Sequence, residues 1–258
     1  AGSYQLSVSS LATAQTLASG DFSATSDIIG TGTLSIALGT PTYVGSVPDT
    51  YSSFSQTSTV DITIDASNHT LAGVRDAINA ASAGVSASIL KNGSNYQLML
   101  VSENTGAANS MSISVTSDGD GTDTDSSGLS QLIYNTSANQ LQQYAAGGDA
   151  SFSINSLAVT SSSNTVSDVL DGVTLSLLSP TTSAITIDVK TDTDAVVADV
   201  QAFVDKYNAY ATLFDESTKY DATTGVRGVL QGDSTARSVM AQIRAELGTQ
   251  VACLLYTS

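Results

Sequence analysis

Four aspartates lie close together at Asp118, Asp120, Asp123 and Asp125, and their hard oxygens are suited to holding a cation. The order of a calcium-binding loop is broken, however. Thr122 stands where a third ligand belongs, and Leu129 stands where a bidentate Glu belongs. The surrounding Gly, Ser and Thr residues suffice to explain the stretch as a solvated turn, and no metal is assigned to it. His69 is the lone histidine, a candidate general base for a serine nucleophile. No G-x-S-x-G elbow accompanies it, and with so many serines one near His69 is expected by chance. Its place just before a helix cap reads as a surface loop. Gly30-Thr31-Gly32 has the opening of a phosphate loop, but Ser35 replaces the third glycine and a strand follows where a helix is needed. A β-turn accounts for it. Cys253, the single cysteine, has no histidine beside it and reads as inert. No catalytic, cofactor-binding or metal-binding residue is assigned, so the chain reads as something other than an enzyme.

Composition narrows the class further. The 258 residues carry 24 acidic and 8 basic side chains, a net charge of -16. No basic stripe is present to neutralise phosphates, which argues against nucleic acid and against anionic lipid. Charged residues make up 12%, about half the ~25% of ordinary domains, and Ser, Thr and Gly fill the difference. A hydrophobic share of 41% is enough for a packed core. One cysteine excludes an internal disulfide, and no apolar run reaches the ~18 residues of a membrane span. The chain begins Ala1-Gly2-Ser3, without Met or a signal-peptide pattern, and reads as a fragment cut from a longer protein.

The elements that would position these residues follow from periodicity. Tyr4, Leu6 and Val8 alternate with polar residues, which predicts a half-buried strand. Leu11–Leu17 is ambiguous between extended and helical. Strands are predicted from Gly30, with Leu34, Ile36 and Leu38 on one face, and over Val60–Ile64, with a polar loop over residues 40–58 containing Pro41 and Pro48. Thr70 caps a helix burying Leu71, Val74, Ala77, Ile78 and Ala81, and Gly84 stops it. Val85–Leu90 and Tyr96–Val101 form a hairpin around Asn92-Gly93, and Met111–Val115 is a further strand. Gly147-Gly148 reads as a hinge before a second β module with strands at 150–154, 157–160, 172–178 and 185–189. Residues 163–171 between them read as a helical turn or a loop.

At Asp192 the period changes. Val196, Val200, Phe203, Tyr207, Tyr210 and Phe214 are spaced four, three, four, three, four, the sharpest periodic signal in the chain. After a loop through Gly225 and Gly228, Asp233-Ser234 caps a second helix in which Ala236, Met240, Ile243 and Leu247 repeat the spacing. Two such helices predict an αα-hairpin whose seam wants a partner, within the same protein or in another subunit. Tyr207 and Tyr210 serve either as bundle core or as contacts between subunits. The tail Val251–Ser258 breaks the pattern.

Several stretches resemble, in order, the flagellar filament capping family, also called flagellar hook-associated protein 2. They are Gly2–Val8 with Leu11–Ala18, Thr70–Asn79 with Gly84–Ser88 (similar to the "IN" motif), Ser163–Val166 with Asp171–Leu175, Phe203–Asn208, and Gly228–Thr235. The resemblance implies an α+β fold, with a β-rich two-domain head of antiparallel sheets and a short helix, followed by an α-helical hairpin leg. It implies an inner head domain from residues 1–27 and 144–190, an outer head domain over 28–143, and a partial leg over 191–258. It further implies a homo-oligomeric ring at the distal filament end that retains exported flagellin and promotes its folding and insertion. Export would run through the flagellar type III apparatus. Val196, Val200, Phe203, Tyr207, Tyr210, Phe214, Met240, Ile243 and Leu247 are then expected to carry leg packing and self-association. The family's leg continues as helix beyond Gln250, where this chain departs from it. The competing reading is a cell-surface adhesin, a glycan-binding β module directed at a host glycoprotein. It calls for exposed aromatics in the head, which has no Trp.

Overall fold

The computed structural model describes residues 2–43, 51–190 and 192–248. Pro48, Cys253 and the tail Val251–Ser258 lie outside the described residues. In chain order the elements begin with β1 (Gly2–Ser10), β2 (Thr16–Ala18), β3 (Gly32–Tyr43) and β4 (Tyr51–Ile64). Then come α1 (Leu71–Ala80), β5 (Val85–Asn92), β6 (Asn95–Ser102), β7 (Ser110–Thr116) and β8 (Gln142–Ala145). A third group is β9 (Ala150–Ile154), β10 (Leu157–Ser161), β11 (Thr165–Leu170), β12 (Val173–Ser176) and β13 (Ile185–Val189). The helices α2 (Thr193–Thr218) and α3 (Ser234–Gly248) end the described chain. Every strand pairing is antiparallel, and the class is α+β as expected. Among the described residues no helix is long and apolar enough to cross a membrane. The chain separates into a unit over Gly2–Val189 and one that starts at Lys190.

The first unit contains two apolar cores. The larger is built by the sheets β4-β3-β7 and β5-β6-β2-β8 together with α1. Alternation decides which residues enter it: Leu34 and Ile36 of β3, Leu98 and Leu100 of β6, and Met111, Ile113 and Val115 of β7 are buried, each two residues from the next. Each such side chain is worth about 1.5–3 kcal/mol on burial. α1 starts where the sequence predicts, because the Thr70 hydroxyl accepts from the Gly73 N–H at 3.1 Å. Its buried stripe is Leu71, Val74 and Ile78, while Ala77 and Ala81 pack at the margin. The smaller core joins Leu6 and Val8 of β1, Phe152 and Ile154 of β9, Val166 and Leu175, under the sheet β10-β9-β1-β13 and the β11–β12 hairpin. Leu17 belongs to the larger core, so the chain passes between the cores at residues 13–16, and again near Gly147.

Three expectations change, and one open alternative is resolved. The loop over 40–58 is replaced by a long ribbon, in which β3 and β4 pair from Gly32↔Ile64 out to Tyr43↔Tyr51. Pro41 fits because the third strand, β7, reaches only to Gly39, so one edge of the ribbon needs no backbone donor there. Residues 163–171 are largely strand β11, held by Asn164: its amide pairs with both the N–H and the C=O of Ala12, at 2.8 and 2.9 Å. Gly147-Gly148 is no hinge. Gly148 exchanges two backbone hydrogen bonds with Thr13, and a Cβ on Gly147 would stand 2.6 Å from the Ser110 hydroxyl. The ambiguous run ends extended, as β2.

Two polar side chains lock the larger core. Gln15 is fully buried. Its Nε2 donates to the Tyr51 hydroxyl at 2.7 Å and to Gln143 Oε1 at 2.6 Å, and its Oε1 accepts from the Met111 N–H at 2.5 Å. Tyr51 in turn donates to the Met111 carbonyl at 2.9 Å, and burial pushes the pKa of its hydroxyl up, so it stays a donor. Asn79, at the end of α1, donates to the Ala87 carbonyl at 2.9 Å and accepts from its N–H at 2.7 Å. β5 is an edge strand, and Asn79 acts as its missing partner.

Removing either clamp orphans backbone groups. Gln15→Leu leaves the buried Met111 N–H without an acceptor and should lower unfolding free energy by about 2–4 kcal/mol, read from the urea midpoint. Asn79→Ala should cost about 1–3 kcal/mol, and Asn79→Asp, which keeps only the acceptor, should fall between it and the unaltered chain. Unchanged midpoints would show that these amides do not hold the fold.

Candidate assembly surface

The second unit starts from a cap. Asp192 Oδ1 accepts from the Ala195 N–H at 2.9 Å, and Asp194 adds negative charge in the first turn, where the helix dipole favours it. Twenty-six residues then run as helix, about 39 Å at 1.5 Å per residue. The second helix is capped as the sequence predicts: Asp233 Oδ1 accepts from the N–H groups of Thr235 and Ala236, at 2.8 and 3.0 Å.

The connection between them is a folded turn. Tyr220 and Arg227 bridge across it, with the guanidinium 5.8 Å from the tyrosine ring. Asp221 accepts from the Thr224 hydroxyl at 2.7 Å and the Thr223 N–H at 2.8 Å. These bonds, the hydroxyl foremost, hold its carboxyl below the usual carboxylate range. The turn is therefore fully stabilised at neutral pH and loosens only as pH falls through that depressed value.

Five of the nine seam residues, Phe203, Tyr207, Tyr210, Ile243 and Leu247, line one groove. Phe203, Tyr207 and Tyr210 face Val239, Ile243 and Leu247 across it, with Lys206 and Glu246 also lining it. Of the nine residues singled out by spacing, Met240 alone is buried. Tyr207, Phe214 and Ile243 are half-buried. Val196, Val200 and Phe203 are 57%, 58% and 55% exposed. Val197, Val204 and Leu213, which the heptad reading passed over, widen the apolar face. They were findable as the positions beside the seam residues on a 3.6-residue period. No residue of α2 is buried. A helix of this length draws most of its stability from packing, and here much of the apolar face is exposed.

His69, Gly30 to Gly32 and the acidic stretch fall in the first unit. His69 is half-buried between β4 and α1, and its carbonyl accepts from the Ile29 N–H at 2.9 Å. Gly30 has a φ of 149°, and a Cβ there would stand 2.5 Å from the Leu129 backbone nitrogen, so that glycine serves packing. The acidic stretch departs from a wholly solvated turn: Asp118 is 5% exposed and Asp125 half-buried, while Asp120 and Asp123 are exposed.

Residues 147–253 match the family model of the flagellar hook-associated protein 2 C-terminus, and residues 49–104 match the flagellin hook IN motif. The B-type flagellar hook-associated protein 2 of Pseudomonas aeruginosa is 34% identical over 96% of this chain and 52% of its own length. Flagellar hook-associated protein 2 of Salmonella typhimurium is 32% identical over 72% of this chain and 40% of its own. The chain thus spans about half the length of the curated relatives it matches. The D1-D2-D3 domains of the flagellar cap protein FliD from Escherichia coli superpose with a TM-score of 0.80 at 32% identity, covering 100% of this chain and 66% of that one. FliD (HAP2) from Pseudomonas aeruginosa PAO1 gives a TM-score of 0.65 at 31% identity, over 85% of this chain and 93% of that one. The α1 motif ending in Ile78-Asn79, the β-rich unit around it and the heptad helices after Asp192 all lie within these matches, and the chain belongs to the flagellar hook-associated protein 2 family.

Proposed function

We propose that this chain is the head and part of the leg of a structural protein that caps the distal end of a bacterial flagellar filament. In this reading several copies assemble on the filament end, retain exported flagellin and promote its folding and insertion. The site of action is outside the cell, reached through the flagellar type III apparatus. No catalytic step is required.

The observation that carries the reading is the bare apolar face of α2. Val196, Val200 and Phe203 are more than half exposed on a helix whose neighbouring polar positions are ordinary surface residues. Such a face is costly in water and stable when other helices cover it. The nine seam residues then serve leg packing and self-association, with Met240, Ile243 and Leu247 extending the face onto α3. The head supplies a different property. Its outward strand positions are rich in Ser and Thr, and the chain carries a net charge of -16. A hydrated surface of one charge sign resists adhesion, as a chamber wall for unfolded flagellin requires. The head's two cores support an inner domain made from both flanks and an outer domain inserted between them, with the crossings near residues 13–16 and 147. Of its large aromatics, Tyr51, Tyr134 and Phe152 are interior and Tyr144 is 62% exposed.

The test joins the chain to flanking segments of a relative and expresses it, with the cognate flagellin, in cells lacking their cap. Long filaments and little flagellin in the medium are expected. Phe203→Asp with Tyr207→Asp should shorten filaments and release severalfold more flagellin. The Phe203→Asp change alone should leave the unfolding free energy of the isolated chain within about 0.5 kcal/mol, because that position is exposed there. Equal leakage from all strains, despite normal export, would contradict the capping role.

A further inference from the structure

The loop after β7 holds a carboxylate oxygen that nothing in its surroundings satisfies. Asp118 Oδ2 accepts from both the N–H and the hydroxyl of Ser130, each at 2.7 Å. Asp118 Oδ1 is buried and has no hydrogen-bond partner. A buried anionic oxygen is stable only when positive charge or a donor meets it.

A second carboxylate oxygen lies near the same glycine, Gly128. The position that a Cβ on Gly128 would take lies 2.5 Å from Asp118 Oδ1 and 2.8 Å from Asp120 Oδ2. Gly128 also has a φ of 59°, so backbone conformation and space together keep side chains out of this gap. The Asp120 carboxylate is oriented by the Ser127 hydroxyl, which donates at 2.6 Å, and by the Thr122 N–H at 3.0 Å. Asp118, Asp120, Ser127 and Gly128 line one surface depression with Thr31, which gives an ion a way in.

We propose that Asp118 and Asp120 share a calcium ion beside Gly128. The donors are oxygens, which suit a hard cation, and calcium accepts irregular shells completed by water where magnesium demands a near-ideal octahedron. The net charge of -16 draws cations toward the surface. Among the described residues no three His, Cys, Asp or Glu side chains gather as a metal site. The protein therefore supplies two carboxylates, and water and neighbouring oxygens supply the rest. Few charged ligands place the affinity in the weak class of extracellular modules, with Kd about 10⁻⁴ to 10⁻³ M. The ion would pin the loop to the start of β3, where the Gly119 N–H already donates to the Thr31 carbonyl at 2.8 Å.

Calcium chloride titrated calorimetrically into the chelator-treated chain tests this, together with thermal unfolding in about 5 mM calcium against sodium chloride of matched ionic strength. One site in the stated range and a rise in Tm of about 2–5 °C are expected. Both should vanish in Asp118→Asn and Asp120→Asn and persist in Asp171→Asn, an exposed acid in the β11–β12 turn that controls for general charge screening. Should Asp118→Asn fail to fold, Asp120→Asn decides, since that carboxylate is on the surface. No calcium-specific response, or one that survives unchanged in Asp120→Asn, overturns the proposal.

Discussion

Gln15 sits where the chain leaves its first strand, and its one amide group ties β2, β4, β7 and β8 together. β2 is only three residues long, yet it lies between β6 and β8, strands that come more than 75 residues later. Three residues of ladder are too few to hold such a strand by themselves. The Gln15 amide adds bonds to Tyr51, Met111 and Gln143, so the sheet β5-β6-β2-β8 and the sheet β4-β3-β7 share a fixed point. Around that point the apolar faces of both sheets can close with α1 into one core.

The two units of the chain therefore rest on different physics. In the first, buried side chains alternate along β1, β3, β5, β6, β7 and β9, and the side-chain amides of Gln15, Asn79 and Asn164 pair with backbone or side-chain groups. In the second, caps and a hydrogen-bonded turn define two helices, but their apolar face is largely uncovered. A body that is complete and a leg that is incomplete suit a protein whose head is a wall and whose leg is a joint.

Much of this was legible in the sequence. Tyr4–Val8 and Met111–Val115 read as strands because one face is buried, and Thr70 read as a cap because its hydroxyl has one donor to satisfy. The outer part of β4 was not legible. Its residues Ser55 to Thr59 are exposed on both faces of an edge strand, so no alternation marks them. Strand β11 was hidden by Asn164 and Asp168, which resemble cap and turn residues until the pairing of Asn164 with Ala12 is seen. Gln15 lay in a run without periodicity, and a buried glutamine leaves no hydrophobic signal. The heptad stripe was plain, but what covers it is a property of the assembly. Asp118 read as solvent-facing because its neighbours are turn residues, and only the fold shows it turned inward against Ser130.

Native-state hydrogen exchange on the chain bears most directly on the division between a self-sufficient head and a leg that awaits partners. The account predicts that amides of Ile36, Leu98, Leu100 and Ile113 exchange only through global unfolding. Amides of Val200, Phe203 and Val204 should exchange through local opening, orders of magnitude faster. Equal protection in both groups would mean that α2 is already stabilised within this chain, and the leg could not be the surface that assembly completes.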